Sequence, residues 1–149
     1  DIASIKRRER YSTVYMVEHD GQLDTLIIPE RGYGLWSTLH GFIAVKGDLN
    51  TVAGFGFYQH GETPGLGGEV DNPKWRDLWL GKKLFDSNDK VAIGVIKGNV
   101  DQSSATAANQ VDGLAGATLT SNGVTHLVQF WLGENGFGSF IEHLRAGEA

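Results

Sequence analysis

The chain has 149 residues, of which 40% are apolar and 21% are charged, and its formal net charge is -5 at pH 7. This length suits a single domain with its own core, and the acidic balance argues against nucleic acid as the main partner. The chain has no cysteine, which excludes disulfides, thiolate metal sites and iron–sulfur clusters. A redox role would therefore need a cofactor that is held by other chemistry.

Two β-hairpins are predicted in the first half of the chain. Residues 11–29 combine two β-rich runs with a turn at Asp20 and Gly21, and Pro29 is expected to end the second strand. Residues 41–60 repeat this pattern around a turn near residues 47–50. Alternation along the last strand predicts one face with Ala53, Phe55 and Phe57, and a second face with Val52, Gly54 and Gly56. The nearly bare second face predicts close approach of another protein segment or of a flat ligand.

A helix is predicted over residues 71–81, with Asn72 as its N-cap, Pro73 at its first position and Gly81 at its end. Helical spacing would place a set of apolar side chains on one side: Trp75, Leu78 and Trp79.

The second half of the chain predicts a turn at residues 86–90, a short buried strand at residues 91–98 and two helices. Residues 99–110 are polar and ambiguous. The first helix starts near Ser121, has an apolar face and stops at Gly133; this face comprises Val124, Leu127, Val128 and Trp131. A last short helix is predicted from Phe137, Phe140, Ile141 and Leu144. Early hairpins and late helices favour an α+β fold, mainly an antiparallel sheet with a few packed helices.

The stretch DGLAGATLTSNG, residues 112–123, concentrates hydroxyl groups and small residues just before the long helix. Residue types alone allow a plain N-cap, made by Thr120 or Ser121 beside a glycine turn. They also allow a phosphate site, with Thr118 just ahead of the helix, because the free N–H groups and the dipole of a helix N-terminus favour an anion.

The stretch HGETPGLGGE, residues 60–69, is a glycine-rich loop. It is most simply a surface connection. Alternatively, a buried tip with Thr63, Pro64 and Leu66 would lie flat against a planar ring, since backbone next to glycine can approach such a ring closely. The five histidines show no metal-ligand spacing, so neither a metal ligand nor a catalytic residue is predicted.

Three stretches, at residues 32–45, 60–75 and 112–124, resemble in their order the C subunit family of the sodium-translocating NADH:quinone reductase. The last stretch resembles the signature of domains that carry FMN through a phosphoester bond to threonine. That pattern reads Asp, two variable residues, Ser or Thr, Gly, Ala and then the acceptor. The chain matches it at four positions, namely Asp112, Gly116, Ala117 and Thr118, and departs from it at Ala115.

The resemblance implies FMN covalently attached to Thr118. Residues expected near the phosphate are Asp112, Gly116, Ala117, Thr120 and Ser121. Residues expected near the isoalloxazine ring are Glu62, Thr63, Pro64, Gly65, Leu66 and Gly67. We expect Asp112 to serve the attachment reaction, with an Asx-turn as the structural alternative.

The resemblance further implies an electron-carrying subunit of a complex that oxidises NADH, reduces ubiquinone and exports sodium. Residues 1–149 would be one FMN-binding domain on the periplasmic side of the bacterial inner membrane, anchored by an N-terminal helix that this sequence lacks. Its partners would be the other subunits and, during maturation, a flavin transferase. Two alternatives are the flavinylated G subunit of an Rnf-type ferredoxin:NAD oxidoreductase and a non-catalytic module that holds a sugar or a peptide.

Overall fold

A computed structural model describes residue 3 and residues 13–147. Its main sheet is antiparallel with strand order β1-β2-β3-β4, formed by β1 (Tyr15–His19), β2 (Gln22–Tyr33), β3 (Thr38–Lys46) and β4 (Val52–Gln59). A small parallel pair consists of β5 (Gly94–Val95) and β6 (Gln110–Val111). The helices are α1 (Pro73–Asp77), α2 (Thr118–Leu132) and α3 (Gly138–Arg145). Short 3₁₀ turns cover Gly67–Asp71 and Ala107–Asn109. The predicted α+β class is confirmed.

Both hairpins are confirmed, but Pro29 does not end its strand. The strand β2 continues to Tyr33, and Pro29 lies opposite Phe42 of β3. The strand β1 pairs with β2 only as far as Ile27, so Pro29 lies where β2 is an edge of the described sheet. A missing backbone N–H is tolerated at an edge. The first two residues of the predicted hairpin, 11 and 12, lie outside the described residues.

The predicted face of Val52 is wrong, because the pairing register shifts within β4. Val52 lies opposite Val45, whereas Gly54 lies opposite the adjacent Ala44, so Ala53 is an extra residue in the strand. Such a bulge turns the side chain before it to the other face. Val52 is therefore fully buried in the core.

Gly56 lies where the outer face of β4 contacts the side chains of other residues. A Cβ atom added at Gly56 would lie 3.5 Å from the Arg76 guanidinium and 3.5 Å from the Phe42 ring. Protein side chains therefore approach this part of the strand closely.

The start of α1 is as predicted, because the Asn72 side chain accepts a hydrogen bond from the Lys74 N–H at 2.9 Å. Trp75 and Trp79 are buried and pack on Phe55 of β4. Leu78, however, is 38% exposed, and the α-helix ends at Asp77, short of the predicted end at Gly81. The predicted apolar face holds for the two tryptophans only.

The turn at residues 86–90 is confirmed, and the predicted strand at residues 91–98 shortens to Gly94–Val95. The apolar face of α2 is buried as predicted and lies on β2. Two glycines permit this contact: a Cβ at Gly32 would lie 2.4 Å from the Leu127 Cβ, and one at Gly123 would lie 2.5 Å from the Tyr33 carbonyl oxygen. Within the described part of the chain, no helix combines the length and hydropathy that crossing a bilayer demands.

Candidate functional site

The start of α2 has no side-chain cap. The helix begins at Thr118, three residues before the predicted start, and its N-cap is Ala117. The first helical hydrogen bond runs from the Ser121 N–H to the Ala117 carbonyl oxygen at 3.0 Å. Within the described residues, the N–H groups of Thr118, Leu119 and Thr120 have no hydrogen-bond acceptor. This helix end therefore offers free donors and a partial positive charge.

The predicted N-cap at Thr120 or Ser121 is wrong, because both residues lie inside the helix and are buried. The Ser121 hydroxyl accepts a hydrogen bond from the Leu114 N–H at 3.1 Å. The Thr120 hydroxyl donates to Glu62 Oε1 at 2.9 Å. Both hydroxyls thus bind neighbouring segments of the protein and leave the helix end open.

Thr118 is exposed and lines a cleft of about 290 Å³. The cleft lies between the start of α2 and the segments at residues 96–99 and 113–116. Of the two small neighbours predicted for Thr118, Gly116 is exposed with a φ of +69° and Ala117 is buried; Ala115 is also exposed and lines the cleft. An alanine at this φ would be strained. The hydroxyl that the motif singles out is therefore accessible from solvent.

Asp112 holds one wall of this cleft. Its Oδ1 accepts a hydrogen bond from the Val100 N–H at 2.7 Å, so the carboxylate binds a distant segment and does not form an Asx-turn there. Beside it, the Gly113 N–H donates to the Gly98 carbonyl oxygen at 2.8 Å. A Cβ at Gly113 would lie 2.3 Å from the Ile96 carbonyl oxygen, so this close contact requires glycine. The role of Asp112 in attachment stays a prediction.

Glu62 connects the three stretches on which the family resemblance rests. Its carboxylate is buried and accepts four hydrogen bonds. The donors are the Leu35 N–H at 2.6 Å, the Trp36 N–H at 2.9 Å, the Ser37 hydroxyl at 3.0 Å and the Thr120 hydroxyl at 2.9 Å. Burial by itself would raise the pKa of Glu62, but these hydrogen bonds outweigh it and hold the pKa below its ordinary value. The carboxylate is therefore ionised at neutral pH and fixes the β2–β3 connection against α2.

The base of the glycine loop is closed by His60 and Asp71. The His60 Nε2 lies 2.6 Å from Asp71 Oδ2, and its Nδ1 accepts a hydrogen bond from the Glu62 N–H at 3.1 Å. Because Nδ1 accepts, the ring proton belongs on Nε2, which donates to the carboxylate. His60 thus has a positioning role in the loop. No group of three or more His, Asp or Glu side chains in the described part of the chain is arranged to hold a metal ion.

The tip of the glycine loop is exposed, so the predicted buried tip is wrong. Thr63, Pro64, Gly65 and Leu66 all face solvent. The loop nevertheless lies against the start of α2. A Cβ at Gly67 would lie 2.5 Å from the Thr120 hydroxyl oxygen, and one at Gly116 would lie 3.1 Å from Leu66 Cδ2. The structure therefore brings the two predicted parts of the site together.

Sequence reasoning missed the contribution of the β2–β3 connection. Leu35 and Trp36 are exposed, with Trp36 at 65%, although their backbone N–H groups are bound to Glu62. Leu66 and Leu119 are exposed on the neighbouring segments. Exposed apolar side chains therefore surround the point where the three stretches meet. The sequence did offer a signal for this connection, because GYGLWS, residues 32–37, is part of the first stretch that resembles the family.

A larger cavity, of about 740 Å³, shares no lining residue with the Thr118 cleft. It lies beside β2 and β3, and Glu30 contributes to its wall. Neither carboxylate oxygen of Glu30 has a hydrogen-bond partner among the described residues, and burial raises its pKa to about 8. This cavity contains none of the predicted site residues.

Comparison with known proteins shows the family of this chain. The FMN-binding domain family matches residues 34–133. A relative from Pseudomonas aeruginosa, the C subunit of a Na(+)-translocating NADH-quinone reductase, is 72% identical over 149 residues, which are 100% of this chain and 57% of the relative. The corresponding C subunit of Vibrio alginolyticus is 50% identical over 99% of this chain and 57% of its own length. The chain thus spans little more than half the length of these relatives.

Two solved structures of C subunits are also similar to this chain. The crystal structure of Shewanella oneidensis NqrC superimposes with a TM-score of 0.90 at 43% identity, over 98% of this chain and 66% of that one. The C subunit of the Na(+)-translocating NADH-quinone reductase from Parabacteroides distasonis gives a TM-score of 0.72 at 36% identity, over 86% of this chain and 61% of that one. The family match covers the glycine loop, the Glu62 cluster and the whole of α2, so this chain belongs to the FMN-binding domain family, and its resemblance to the C subunit of the sodium-translocating NADH:quinone reductase is confirmed.

Proposed function

We propose that this chain carries FMN as a phosphoester on Thr118 and passes electrons between other redox centres of a sodium-translocating NADH:quinone reductase. The observation that carries the proposal is the uncapped start of α2, where the exposed Thr118 hydroxyl lines a cleft between small residues. The names of the relatives support the identity of the complex.

The start of α2 fits a phosphate group. Three backbone N–H groups, those of Thr118, Leu119 and Thr120, are without acceptors in the described chain, and anions bind favourably at such a helix end. Gly116 and Ala117 leave space for a flavin transferase to reach the acceptor. A covalent bond would also keep the cofactor in place where free FMN is scarce.

The exposed apolar side chains near this helix end fit a planar ring. Leu66 and Trp36 lie on two segments that Glu62 and α2 hold together. The bound flavin would supply the electron-transfer chemistry, and the protein would orient its ring and shield it from water. We place the ring against the tip of the glycine loop, residues 63–66. The chain itself would bind neither NADH nor sodium.

The wider setting follows from the relatives and is part of the proposal. The domain would lie on the periplasmic side of the bacterial inner membrane, anchored by a helix outside this sequence, with the other subunits as partners. Flavin attachment would require a flavin transferase. Ala115 lacks the hydroxyl that the family pattern has at this position, yet the acceptor itself is retained.

The two other interpretations have less support. The G subunit of an Rnf-type oxidoreductase shares the attachment motif, but the relatives named above are C subunits of the sodium-translocating enzyme. A module that holds a sugar or a peptide is disfavoured by the match to a flavin-binding family over residues 34–133.

The decisive experiment is Thr118→Val, produced together with an active flavin transferase. The wild-type chain should gain the mass of one FMN and stay yellow after denaturation, whereas the variant should gain none. Thr38→Val, at an exposed position on β3, is the matched control and should be fully flavinylated. Intact mass spectrometry measures all three, and an FMN adduct on Thr118→Val would refute the assignment.

The ring position is tested by Thr63→Val and Leu66→Ala in flavinylated protein. Both should shift the flavin spectrum and midpoint potential without loss of the covalent adduct. Leu80→Ala, at an exposed leucine in the turn after α1, should leave both unchanged. These variants are cleaner than Gly67→Val, because a side chain at Gly67 would collide with Thr120. Unaltered spectra and potentials in Thr63→Val and Leu66→Ala would move the ring away from this loop.

A further inference from the structure

We propose that Lys97 supplies the positive side chain that faces the phosphate on Thr118. The inference rests on the proposed function, since it assigns a partner to the phosphate of that same site. It adds a specific charged residue to an anion site that otherwise consists of backbone N–H groups and neutral side chains.

Lys97 and Thr118 line the same cleft. Among the lining residues of the described chain, Lys97 is the one with a charged side chain; the polar remainder, Asn99, Ser121 and Asn122, is neutral. None of the ion pairs within the described residues involves Lys97. Its ammonium group is therefore free to pair with a ligand. A phosphodiester carries a single negative charge, which one lysine neutralises.

The backbone around Lys97 is held against the attachment motif by three hydrogen bonds. The Ile96 N–H donates to the Val111 carbonyl oxygen at 2.9 Å, on one side of Lys97. On its other side, the Gly98 carbonyl oxygen accepts from Gly113 and the Val100 N–H donates to Asp112. A fixed backbone lowers the entropy that the lysine would lose on pairing. Asp112 thus helps the site by fixing the segment that carries the cation.

The geometry also explains why the cation comes from this segment. The first turn of α2 contains no acidic or basic residue, so its own side chains do not supply the counter-charge. Lys97 is exposed, and an exposed pair of this kind is weak and sensitive to salt. Lys97 would orient the phosphate and neutralise the phosphate charge, while the covalent bond to Thr118 keeps the flavin attached.

The test measures how fast an amine-specific acetylating reagent modifies Lys97 in flavinylated and unflavinylated protein. Thr118→Val, exposed to the same transferase, is the unflavinylated reference. We expect flavinylation to slow acetylation of Lys97 about two- to fivefold at low salt. Lys90, an exposed lysine in the turn at residues 86–90, should react equally fast in both proteins. Peptide mass spectrometry quantifies both sites.

Salt separates charge pairing from simple covering by the flavin. At about 1 M salt the screening length falls to roughly 3 Å, so protection by an ion pair should largely disappear. Equal reactivity of Lys97 in the two proteins at low salt would overturn the inference, and so would protection that persists at high salt. If the wild-type chain gains no FMN, its intact mass shows that the proposed function itself has failed.

Discussion

Glu62 and Glu30 are both almost completely buried, yet their surroundings are opposite. Glu62 is 5% exposed and accepts four hydrogen bonds from the β2–β3 connection and from α2. Glu30 is 3% exposed, and within the part of the chain that the structure describes neither of its carboxylate oxygens has a hydrogen-bond partner. The pKa of Glu62 is held below its ordinary value, whereas that of Glu30 is raised to about 8.

The two carboxyls differ in their hydrogen-bond donors: four groups donate to Glu62, whereas none of the described residues donates to Glu30, whose pKa burial alone raises. Two of the donors to Glu62 are the Leu35 and Trp36 backbone N–H groups in the β2–β3 connection, and hydrogen bonds to the ionised form of a carboxyl lower its pKa. Glu30 lies in β2, where the neighbouring backbone groups are used by the sheet. Glu62 is therefore an ionised structural centre of the site, and Glu30 is a neutral acid at neutral pH.

The largest effect is expected for Glu62→Ala. This change would leave four donors without their acceptor, among them the Leu35 and Trp36 N–H groups. Each buried unsatisfied group costs about 1–3 kcal/mol, but solvent will reach some of them, so we expect a loss of about 3–5 kcal/mol in the free energy of unfolding. Urea denaturation measures this loss. Glu69→Ala, on the same loop but exposed, is the control and should change it by less than about 0.5 kcal/mol.

The pH dependence of stability tests whether the charge of Glu62 stabilises the fold. Because its folded pKa is lowered, its charge stabilises the fold above the unfolded pKa, and this contribution is lost as the pH falls through the folded pKa. The stability gap between the wild type and Glu62→Gln should therefore narrow as the pH falls from 6 to 3. Denaturation curves over this range measure the gap. A constant gap would mean that Glu62 contributes through its shape and not through its charge.

The opposite pH dependence is expected for Glu30. Its folded pKa of about 8 lies above the ordinary value of 4.5, so the unfolded chain releases its proton first as the pH rises. Stability is then lost between these two values, and Glu30→Gln, which has no proton to lose, should escape the loss. We expect Glu30→Gln to match the wild type near pH 4.5 and to be more stable by about 2–4 kcal/mol at pH 8.

Denaturation of both proteins at the two pH values tests this expectation. Glu18→Gln, at an exposed position on β1, is the control and should show no such difference. If Glu30→Gln gains nothing at pH 8, Glu30 is already ionised in the folded chain, and the contrast with Glu62 disappears.

Much of the fold was predictable, because its signals are local. Alternation predicted the two hairpins, and helical spacing predicted the buried face of α2. The face of Val52 and the start of α2 were not predictable in this way. The first depends on a bulge within the β3–β4 pairing. In the second case, the hydroxyls of Thr120 and Ser121 bind Glu62 and the Leu114 N–H and do not cap the helix.

The candidate site likewise has one part with a local sequence signal and one part that depends on long-range contacts. Thr118 and the glycine loop were found through motifs, which are contiguous in sequence. The carboxylate of Glu62 binds residues 25–27 positions earlier and 58 positions later, and no sequence pattern states such a pairing. The cleft segment at residues 96–99 joins the end of a predicted strand to the ambiguous stretch at residues 99–110. No motif includes it, so Lys97 was identified only from the structure.

A smaller effect is expected for Thr120→Val, which removes one of the four donors to Glu62. Glu62 Oε1 keeps its hydrogen bond from the Leu35 N–H, so no buried group loses all its partners. We expect a loss of about 1 kcal/mol in the free energy of unfolding. Flavinylation by the transferase should remain complete, because the Thr120 hydroxyl donates to Glu62 and Thr120 does not line the Thr118 cleft.

Thr118→Val, in the same helical turn, should have the opposite effects: stability is retained and flavinylation is lost. Its hydroxyl is exposed and has no hydrogen-bond partner in the described residues, so stability should change by less than about 0.5 kcal/mol while flavinylation is lost. Urea denaturation and intact mass, measured on both variants, separate the two threonines. A Thr120→Val protein that is stable but unflavinylated would contradict the division, since Thr120 would then serve the attachment and Glu62 would hold the helix without it.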